Sequence, residues 1–269
     1  MTDGQTTAPE LIATVERLSG RALRGEEGVA AGDPERAFDH AMLCWMPTPD
    51  ALEAAERSGA QVVIPHEALY FCPMADSRIP GTFEAPWASW PANARRREIV
   101  ERAGYTVVRF HGSADQICIY DAFAERLDLT ETAAGEGCGR VFAIPPTPLR
   151  DLIERVKRAV GFEHLRVAAP GHDLDREVSR VGLPWGGMGL GVNLATSAGL
   201  IAKGADVLIS GESDAGAFRF AVDSSVPVIE TSHAASEIPG VERFAEILRR
   251  EHPGVRFDHY DNGTCWRWA

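Results

Sequence analysis

One local pattern recurs along this chain and constrains its fold: an amphipathic helix, then a glycine, then an apolar strand. It reads DALEAAERSGAQVVIP, NARRREIVERAGYTVVRF and ATSAGLIAKGADVLIS. Gly59, Gly104 and Gly204 stand where a helix ends in a left-handed residue, a conformation that glycine adopts without steric cost. The strands are almost continuously apolar, which is typical of strands covered on both faces. Alternating helices and strands predict an α/β layered architecture.

The length of the chain, 269 residues, allows one large domain or two small ones. The polar, glycine-rich stretch TETAAGEGCG at 130–139 is the best candidate for a boundary. It divides the chain into a first α/β half, residues 1–130, and a second, residues 131–269.

Composition and charge exclude several functional classes. No run approaches the roughly 18 apolar residues of a membrane helix. The start, MTDGQTTAPE, has neither a basic nor an apolar stretch, so we expect no signal peptide and a cytoplasmic protein without membrane partners. The net charge of −12 makes nucleic acid an unfavourable partner but leaves room for a small-molecule substrate. The five cysteines are odd in number and form no CxxC pair, so metal chemistry would depend on His, Asp and Glu.

Three predicted strands end in side chains that can bind metal. QVVIP is followed by His66 and Glu67, YTVVRF by His111 and Asp115, and VPVIETS by a third pair, His233 and Glu237. Ligand sites in open α/β sheets collect at the carboxyl ends of strands. Residues four apart share one face if the segment is helical, so each of the last two pairs could reach one ion. Imidazole with carboxylate suits iron, zinc, manganese or cobalt better than calcium.

Other interpretations of these residues stay open. A His-x-x-x-Glu pair also occurs as a surface salt bridge, and polar residues can simply cap strand ends. The loop GGMGLG at 186–191 could approach an anion, although a tight turn is the simpler reading. Glu212, which closes the strand ending in SGE, could hold a ligand histidine or be a solvated turn residue.

The order of these blocks resembles the Nif-three-like family, also called dinuclear metal centre hexameric proteins or GTP cyclohydrolase I type 2-like proteins. That family carries Ile-Ser-His-His-Pro, His-Thr-Asn-Leu-Asp, Thr-Gly-Asp and Gly-His-x-x-x-Glu blocks, which stand here as IPHEAL, HGSAD, SGE and SHAASE. The resemblance runs from about Gly32 to the end. It implies two similar α/β/α layered halves with mixed sheets and with C-terminal strands that can cross between them. It also implies a homohexamer.

The resemblance further implies two divalent ions, of zinc, iron or manganese. His66 and His233 would bind one ion, Glu67 and Asp115 the other, and Glu237 would bridge them. His111 would be an outer neighbour or occasional ligand. It is our candidate for catalytic proton transfer, because the unperturbed pKa of a histidine side chain is about 6.5.

Four positions depart from the family pattern, and they shape the functional hypotheses. Glu67 replaces a histidine and Glu212 an aspartate, while Gly216 and Met46 stand where many members have a histidine and an aspartate. The first hypothesis is a metal-dependent hydrolase acting on a nucleotide-like or phosphorylated small molecule. The alternative is a metal carrier or interaction scaffold without turnover, and a third hypothesis is a degenerate site without metal.

Overall fold

The computed structural model describes residues 4–72 and 86–267. The chain forms two compact units. The first consists of Met1–Ile119 and Val241–Asn262, and the second of Tyr120–Gly240 and Gly263–Ala269.

The helices and strands alternate along most of the described chain, which confirms the predicted α/β class. The helices are α1 (Ala8–Ser19), α2 (Pro49–Ser58), α3 (Pro91–Ala103), the single turn α4 (Gly112–Ala114), α5 (Tyr120–Arg126), α6 (Leu149–Val160), α7 (Leu194–Ala202), α8 (Ala215–Asp223) and α9 (His233–Glu251). The strands are β1 (Gly28–Ala31), β2 (His40–Cys44), β3 (Val62–Pro65), β4 (Thr106–Arg109), β5 (Glu131–Ala134), β6 (Val141–Pro148), β7 (Arg166–Ala168), β8 (Glu177–Gly182), β9 (Val207–Ser210), β10 (Val228–Glu230) and β11 (Arg256–Tyr260).

The first unit is built on a mixed five-stranded sheet in the order β1-β4-β3-β2-β11. The β4, β3, β2 and β11 strands run parallel, and β1 is antiparallel to β4. Every residue of β2, β3 and β4 is buried, as the continuous apolar runs predicted for β3 and β4. A core of α2, α3 and strand residues, including Leu52, Ile99 and Val107, covers one face. Because the central strands are parallel, their carboxyl ends lie at one edge of this sheet.

The second unit is built on a mixed six-stranded sheet in the order β5-β6-β8-β9-β10-β7. The β8, β9 and β10 strands are parallel, and the flanking strands pair antiparallel. Residues from α7 and α8, among them Leu200 and Ala221, pack with Leu208 and Val228 of the sheet. The carboxyl ends of β9 and β10 therefore lie side by side.

Two of the three glycines of the recurring pattern end their helices as predicted, whereas the cap residue of α7 is Lys203 and the glycine follows it with a φ of 92°. Gly59 follows α2 with a φ of 79°, and Gly104 follows α3 with a φ of 65°. The backbone N–H of each donates to a carbonyl of the preceding helix, which leads the chain directly into the next strand. The pattern thus places β3 and β4, whose ends carry His66 and His111.

Among the helices in the described parts of the chain, none combines the length and the apolar character needed to cross a membrane.

Candidate metal centre

In the first unit, the residues after β3 and β4 bring together the first ligand group, which is His66, Glu67, His111 and Asp115. His66 is buried, with 2% of its surface exposed. Its Nδ1 lies 3.2 Å from the carbonyl oxygen of Phe110, and its Nε2 lies 3.8 Å from Oδ1 of Asp115. The rings of His66 and His111 have centroids 4.7 Å apart. One donor atom from each of His66, Glu67 and His111 lies within 4.8 Å of the other two.

The HGSAD segment is helical, as the four-residue spacing required. The N–H of Asp115 donates to the carbonyl of His111 at 3.0 Å, across the turn α4. The carboxylate of Glu27 anchors this turn, because it accepts the N–H of His111 at 3.0 Å and the N–H of Ser113 at 2.8 Å. Burial favours the neutral carboxyl, but these bonds and one from the Ser113 hydroxyl outweigh it and lower the pKa of Glu27.

A second acidic residue, Glu26, faces the ring of His111. Its Oε1 lies 3.9 Å from Nδ1 of the imidazole. The interaction with this ring outweighs partial burial and lowers the pKa of Glu26 to about 2. Glu26 therefore stays ionised at neutral pH and favours a proton on Nδ1, which makes Nε2 the acceptor nitrogen of the ring.

A buried cation, Arg109, is part of the same neighbourhood. It is the last residue of β4 and 8% exposed. Its Nε donates to the carbonyl of His66 at 3.0 Å, and its Nη1 donates to the carbonyl of Glu26 at 3.3 Å. Its Nη2 lies 3.7 Å from Oε2 of Glu67. The guanidinium thus joins the end of β3 to the segment that enters β1.

In the second unit, the start of α9 carries the second ligand group, His233 and Glu237. Nε2 of His233 lies 3.1 Å from Oε2 of Glu237, and Nδ1 lies 3.0 Å from Oε2 of Glu212. Glu237 is buried, and His233 is partly exposed. Glu212 follows β9 and His233 follows β10, so the parallel pairing of these strands brings the two side chains together. Of the two sequence interpretations of Glu212, the structure supports the first, because Glu212 contacts His233.

The glycine-rich loop 186–191 packs against this second ligand group. Gly186, at a φ of +50°, would place a Cβ atom 1.8 Å from Oε1 of Glu237 and 3.2 Å from Nε2 of His233. Its N–H donates to Oγ of Ser236 at 2.9 Å, and its carbonyl accepts the N–H of Glu212 at 2.8 Å. The loop forms two short 3-10 turns before α7, so glycine here makes room for a carboxylate and an imidazole.

The donor chemistry of both groups fits a transition-metal ion. Each group contributes imidazole nitrogen and carboxylate oxygen, which suit zinc, iron and manganese. In each group a histidine Nδ1 meets an oxygen acceptor while Nε2 faces a carboxylate, the usual surroundings of a metal-binding histidine. All the sequence-predicted site residues therefore lie in one of two groups with suitable chemistry.

Several residues that contact these groups were missed by the sequence analysis. Glu26 and Glu27 lie in the polar stretch RGEEG, which precedes a strand rather than following one. Arg109 is the one charged residue of YTVVRF. For the loop at 186–191, a tight turn is the simpler interpretation of the sequence. The sequence carried a signal for Arg109 alone, because a charged residue inside an apolar strand needs a buried partner.

An α/β fold with His/carboxylate groups after its strands defines a class of candidate metal-binding proteins. Residues 11–262 match the sequence model of Duf34/NIF3 (NGG1p interacting factor 3). The chain belongs to this family, which confirms the resemblance recognised from its sequence blocks.

Comparison with individual proteins agrees with this assignment. A protein named GTP cyclohydrolase 1 type 2 homolog from Lactococcus lactis subsp. lactis (strain IL1403) is 25% identical over 199 residues, which cover 71% of each chain. The crystal structure of a Bacillus cereus protein related to NIF3 matches with a TM-score of 0.79 and 15% identity, over 98% of this chain and 99% of that chain. Reduced HcgD from Methanocaldococcus jannaschii matches with a TM-score of 0.70 and 18% identity, over 96% and 98%. At these identities the two structures show a shared fold.

Proposed function

We propose that this chain binds two divalent metal ions and acts as a metal-dependent hydrolase on a nucleotide-like or phosphorylated small molecule. The proposed ligands are His66, Glu67, Asp115, His233 and Glu237, combined in one dinuclear site as the family resemblance implies. The observation that carries the proposal is common to His66 and His233. In each ring an oxygen acceptor lies beside Nδ1 and a carboxylate beside Nε2.

The chain's own residues have distinct roles in this proposal. Bound divalent ions would supply Lewis acidity and lower the pKa of a water molecule towards neutrality. Asp115 and Glu237 offer carboxylates to the ions. His111 is the proposed proton-transfer residue, because its ring contacts His66 while its Nδ1 faces Glu26. With Nδ1 protonated, Nε2 of His111 can accept a proton from the nucleophile or return one to the leaving group.

Two observations support an anionic substrate. The name of the Lactococcus lactis relative favours a nucleotide-like molecule. In the second unit, Arg166 donates through Nη2 to the carbonyl of Ser213, the residue after Glu212, and pairs with Glu230. Its guanidinium lies 5.0 Å from the ring centre of Phe218, and its side chain is 49% exposed. A held and exposed guanidinium is suited to a phosphate or carboxylate group.

The proposal is tested by elemental analysis of tag-free protein beside the double variant His66→Ala, Glu237→Ala. We expect about two equivalents of a transition metal per chain in the wild type and a large loss in the variant. Metal-loaded protein is then screened against nucleotides and phosphoesters, with Glu237→Ala as the inactive reference. Wild-type protein that takes up no metal after reconstitution would disprove the metal site. Metal-loaded protein without turnover would support the metal site and contradict the proposed hydrolase activity.

One observation favours a non-catalytic metal carrier as the second candidate. The positive charge of Arg109 lies beside Glu67 and opposes tight binding of an ion in the first ligand group. A carrier predicts bound metal that exchanges readily with free metal. Measurable turnover of a nucleotide or phosphoester by the metal-loaded protein would decide for the hydrolase.

The proposal includes assembly into a homohexamer, which rests on the family resemblance alone. Light scattering coupled to gel filtration should then give six times the chain mass of 29.1 kDa. A monomeric mass at micromolar concentration would contradict this part of the proposal and leave the metal site unaffected.

A further inference from the structure

Arg109 is an unusual neighbour for residues that would bind a cation. Its guanidinium is buried beside the first ligand group and is held by the carbonyls of His66 and Glu26. One carbonyl belongs to the segment after β3 that carries His66, and the other to the segment before β1, in which Glu26 faces His111. A buried arginine with two backbone bonds cannot swing into water when a second positive charge approaches.

Glu67 connects Arg109 to metal binding. Its Oε2 lies 3.7 Å from Nη2 of Arg109, and one of its oxygens is within 4.8 Å of donor atoms of His66 and His111. A carboxylate has two oxygens, so Glu67 can face the guanidinium and an ion at the same time. Its charge is then shared between two cations, and its net contribution to holding the ion falls.

We propose that Arg109 is a positioning residue that restrains Glu67 and lowers the affinity of the first ligand group for a divalent ion. This inference rests on the proposed metal binding. Two like charges that face the same carboxylate in a partly buried site would repel each other, and the backbone bonds of Arg109 prevent relief by side-chain movement. Arg109 also neutralises the charge that Glu67 adds in place of a neutral histidine. The result is an ion that can be exchanged rather than one that is permanently bound.

The test is the affinity for Mn²⁺, and separately for Zn²⁺, measured by competition with a chromophoric chelator. Arg109→Gln removes the charge and keeps an amide donor for one carbonyl. It should bind Mn²⁺ about tenfold more tightly than the wild type. Arg109→Lys keeps the charge but lacks the planar fork, so its ammonium can move away from the ion. It should show an intermediate gain of about threefold.

A double-mutant cycle with Glu67→Gln shows whether the effect passes through Glu67. Glu67→Gln should weaken Mn²⁺ binding, and the loss should be greater in the Arg109→Gln background, where Glu67 no longer shares its charge. Arg102→Gln is the matched control, because Arg102 is an exposed arginine of the same unit that pairs with Glu56. It should leave the affinity unchanged.

Each outcome of the experiment decides one point. Unchanged or weaker Mn²⁺ binding in both Arg109 variants, with wild-type melting temperatures, would overturn the inference. Additive effects of the Arg109 and Glu67 substitutions would overturn the role of Glu67. If Arg109→Gln does not fold, Arg109→Lys carries the comparison with the same expected direction. A wild-type protein that binds neither ion would instead disprove the proposed function.

Discussion

Glu212 and Glu237 lie on opposite sides of one imidazole ring, that of His233. Oε2 of Glu212 is 3.0 Å from Nδ1, and Oε2 of Glu237 is 3.1 Å from Nε2. Glu212 is partly exposed, whereas Glu237 is buried. A carboxylate on Nδ1 favours the tautomer that carries its proton there and makes Nε2 a more basic ligand. In the proposed metal site, Glu212 would therefore act on the ion through the ring of His233.

Replacing Glu212 by glutamine should weaken divalent-metal binding by about 10- to 100-fold. The amide oxygen can still accept the Nδ1 proton, but it lacks the charge that raises the basicity of the ring. The melting temperature should hardly change, because the side chain of Glu212 is 45% exposed. Competition against a chromophoric chelator measures the affinity. Glu246→Gln, an exposed glutamate of α9, is the control. Equal affinities of Glu212→Gln and the wild type would contradict the assigned role.

Replacing Gly186 by alanine should displace Glu237 and abolish metal binding by the second ligand group. The added Cβ would lie 1.8 Å from Oε1 of Glu237, and the residue would keep a φ of +50° that alanine disfavours. We expect metal content to fall and the free energy of unfolding to decrease by about 1–3 kcal/mol. Elemental analysis and chemical denaturation measure the two effects.

The matched control for this substitution is Gly199→Ala in α7. A Cβ atom at Gly199 would meet nothing within 4 Å, and the residue lies inside a helix. Alanine there should raise the free energy of unfolding by about 0.5–1 kcal/mol and leave metal content unchanged. If Gly186→Ala behaved like Gly199→Ala, the loop at 186–191 would not restrain Glu237.

The predictable part of this fold and site is the part that depends on local signals. Gly59 and Gly104 mark helix ends because a left-handed residue is needed there, and the strands that follow are recognisable by their apolar runs. The Nε2 atom of His233 could be expected near Glu237 because residues four apart share a helix face. The position of Glu212 at the end of a predicted strand left two interpretations open, and the pairing of its strand with the strand that leads to His233 is seen only in the structure.

The rest depends on contacts between segments that are distant in sequence. The pairing of Arg109 with Gly28 across β4 and β1 brings the two glutamates before β1, Glu26 and Glu27, to His111. In the sequence, however, two adjacent glutamates before a glycine have the composition of an ordinary surface turn. The approach of Gly186 to Glu237 joins residues 51 positions apart. No periodicity or spacing encodes such contacts, because they follow from sheet order and loop path.

Asn93 should be important for the stability of the segment that follows Glu67. It is fully buried in α3 and makes three hydrogen bonds to backbone groups of other segments. Its Oδ1 accepts the N–H of Phe71 at 2.8 Å, and its Nδ2 donates to the carbonyls of Phe71 and Trp87. Asn93→Ala leaves these groups without their partner and should reduce the free energy of unfolding by about 3 kcal/mol.

Chemical denaturation measures this loss, with Asn193→Ala as the comparison. Asn193 donates through Nδ2 to the carbonyl of Gly187, so we expect a cost of about 1 kcal/mol. Equal losses for the two variants would show that the bonds of Asn93 to the backbone contribute little.

Glu27 should make the first unit less stable as the pH becomes acidic. Its pKa is lowered from an ordinary value of 4.5, because hydrogen bonds to Ser113 and neighbouring backbone groups outweigh burial. A carboxyl whose folded-state pKa is depressed contributes stability that is fully present above its unfolded pKa and is lost as the pH falls through the folded value. Glu27→Gln removes this contribution, so at pH 7 it should lower the free energy of unfolding by about 2 kcal/mol.

The difference between wild type and Glu27→Gln should therefore narrow as the pH falls below 4.5. Denaturation curves recorded from pH 7 to pH 3 measure this difference in unfolding free energy, and a chelator prevents interference from bound metal. Glu35→Gln, an exposed glutamate of the same unit, is the matched control. Only the charged carboxylate accepts all the bonds that hold His111 and Ser113, so its stabilising effect should depend on pH. A difference in unfolding free energy that stayed constant from pH 7 to pH 3 would mean that Glu27 stabilises the turn before Asp115 by packing instead.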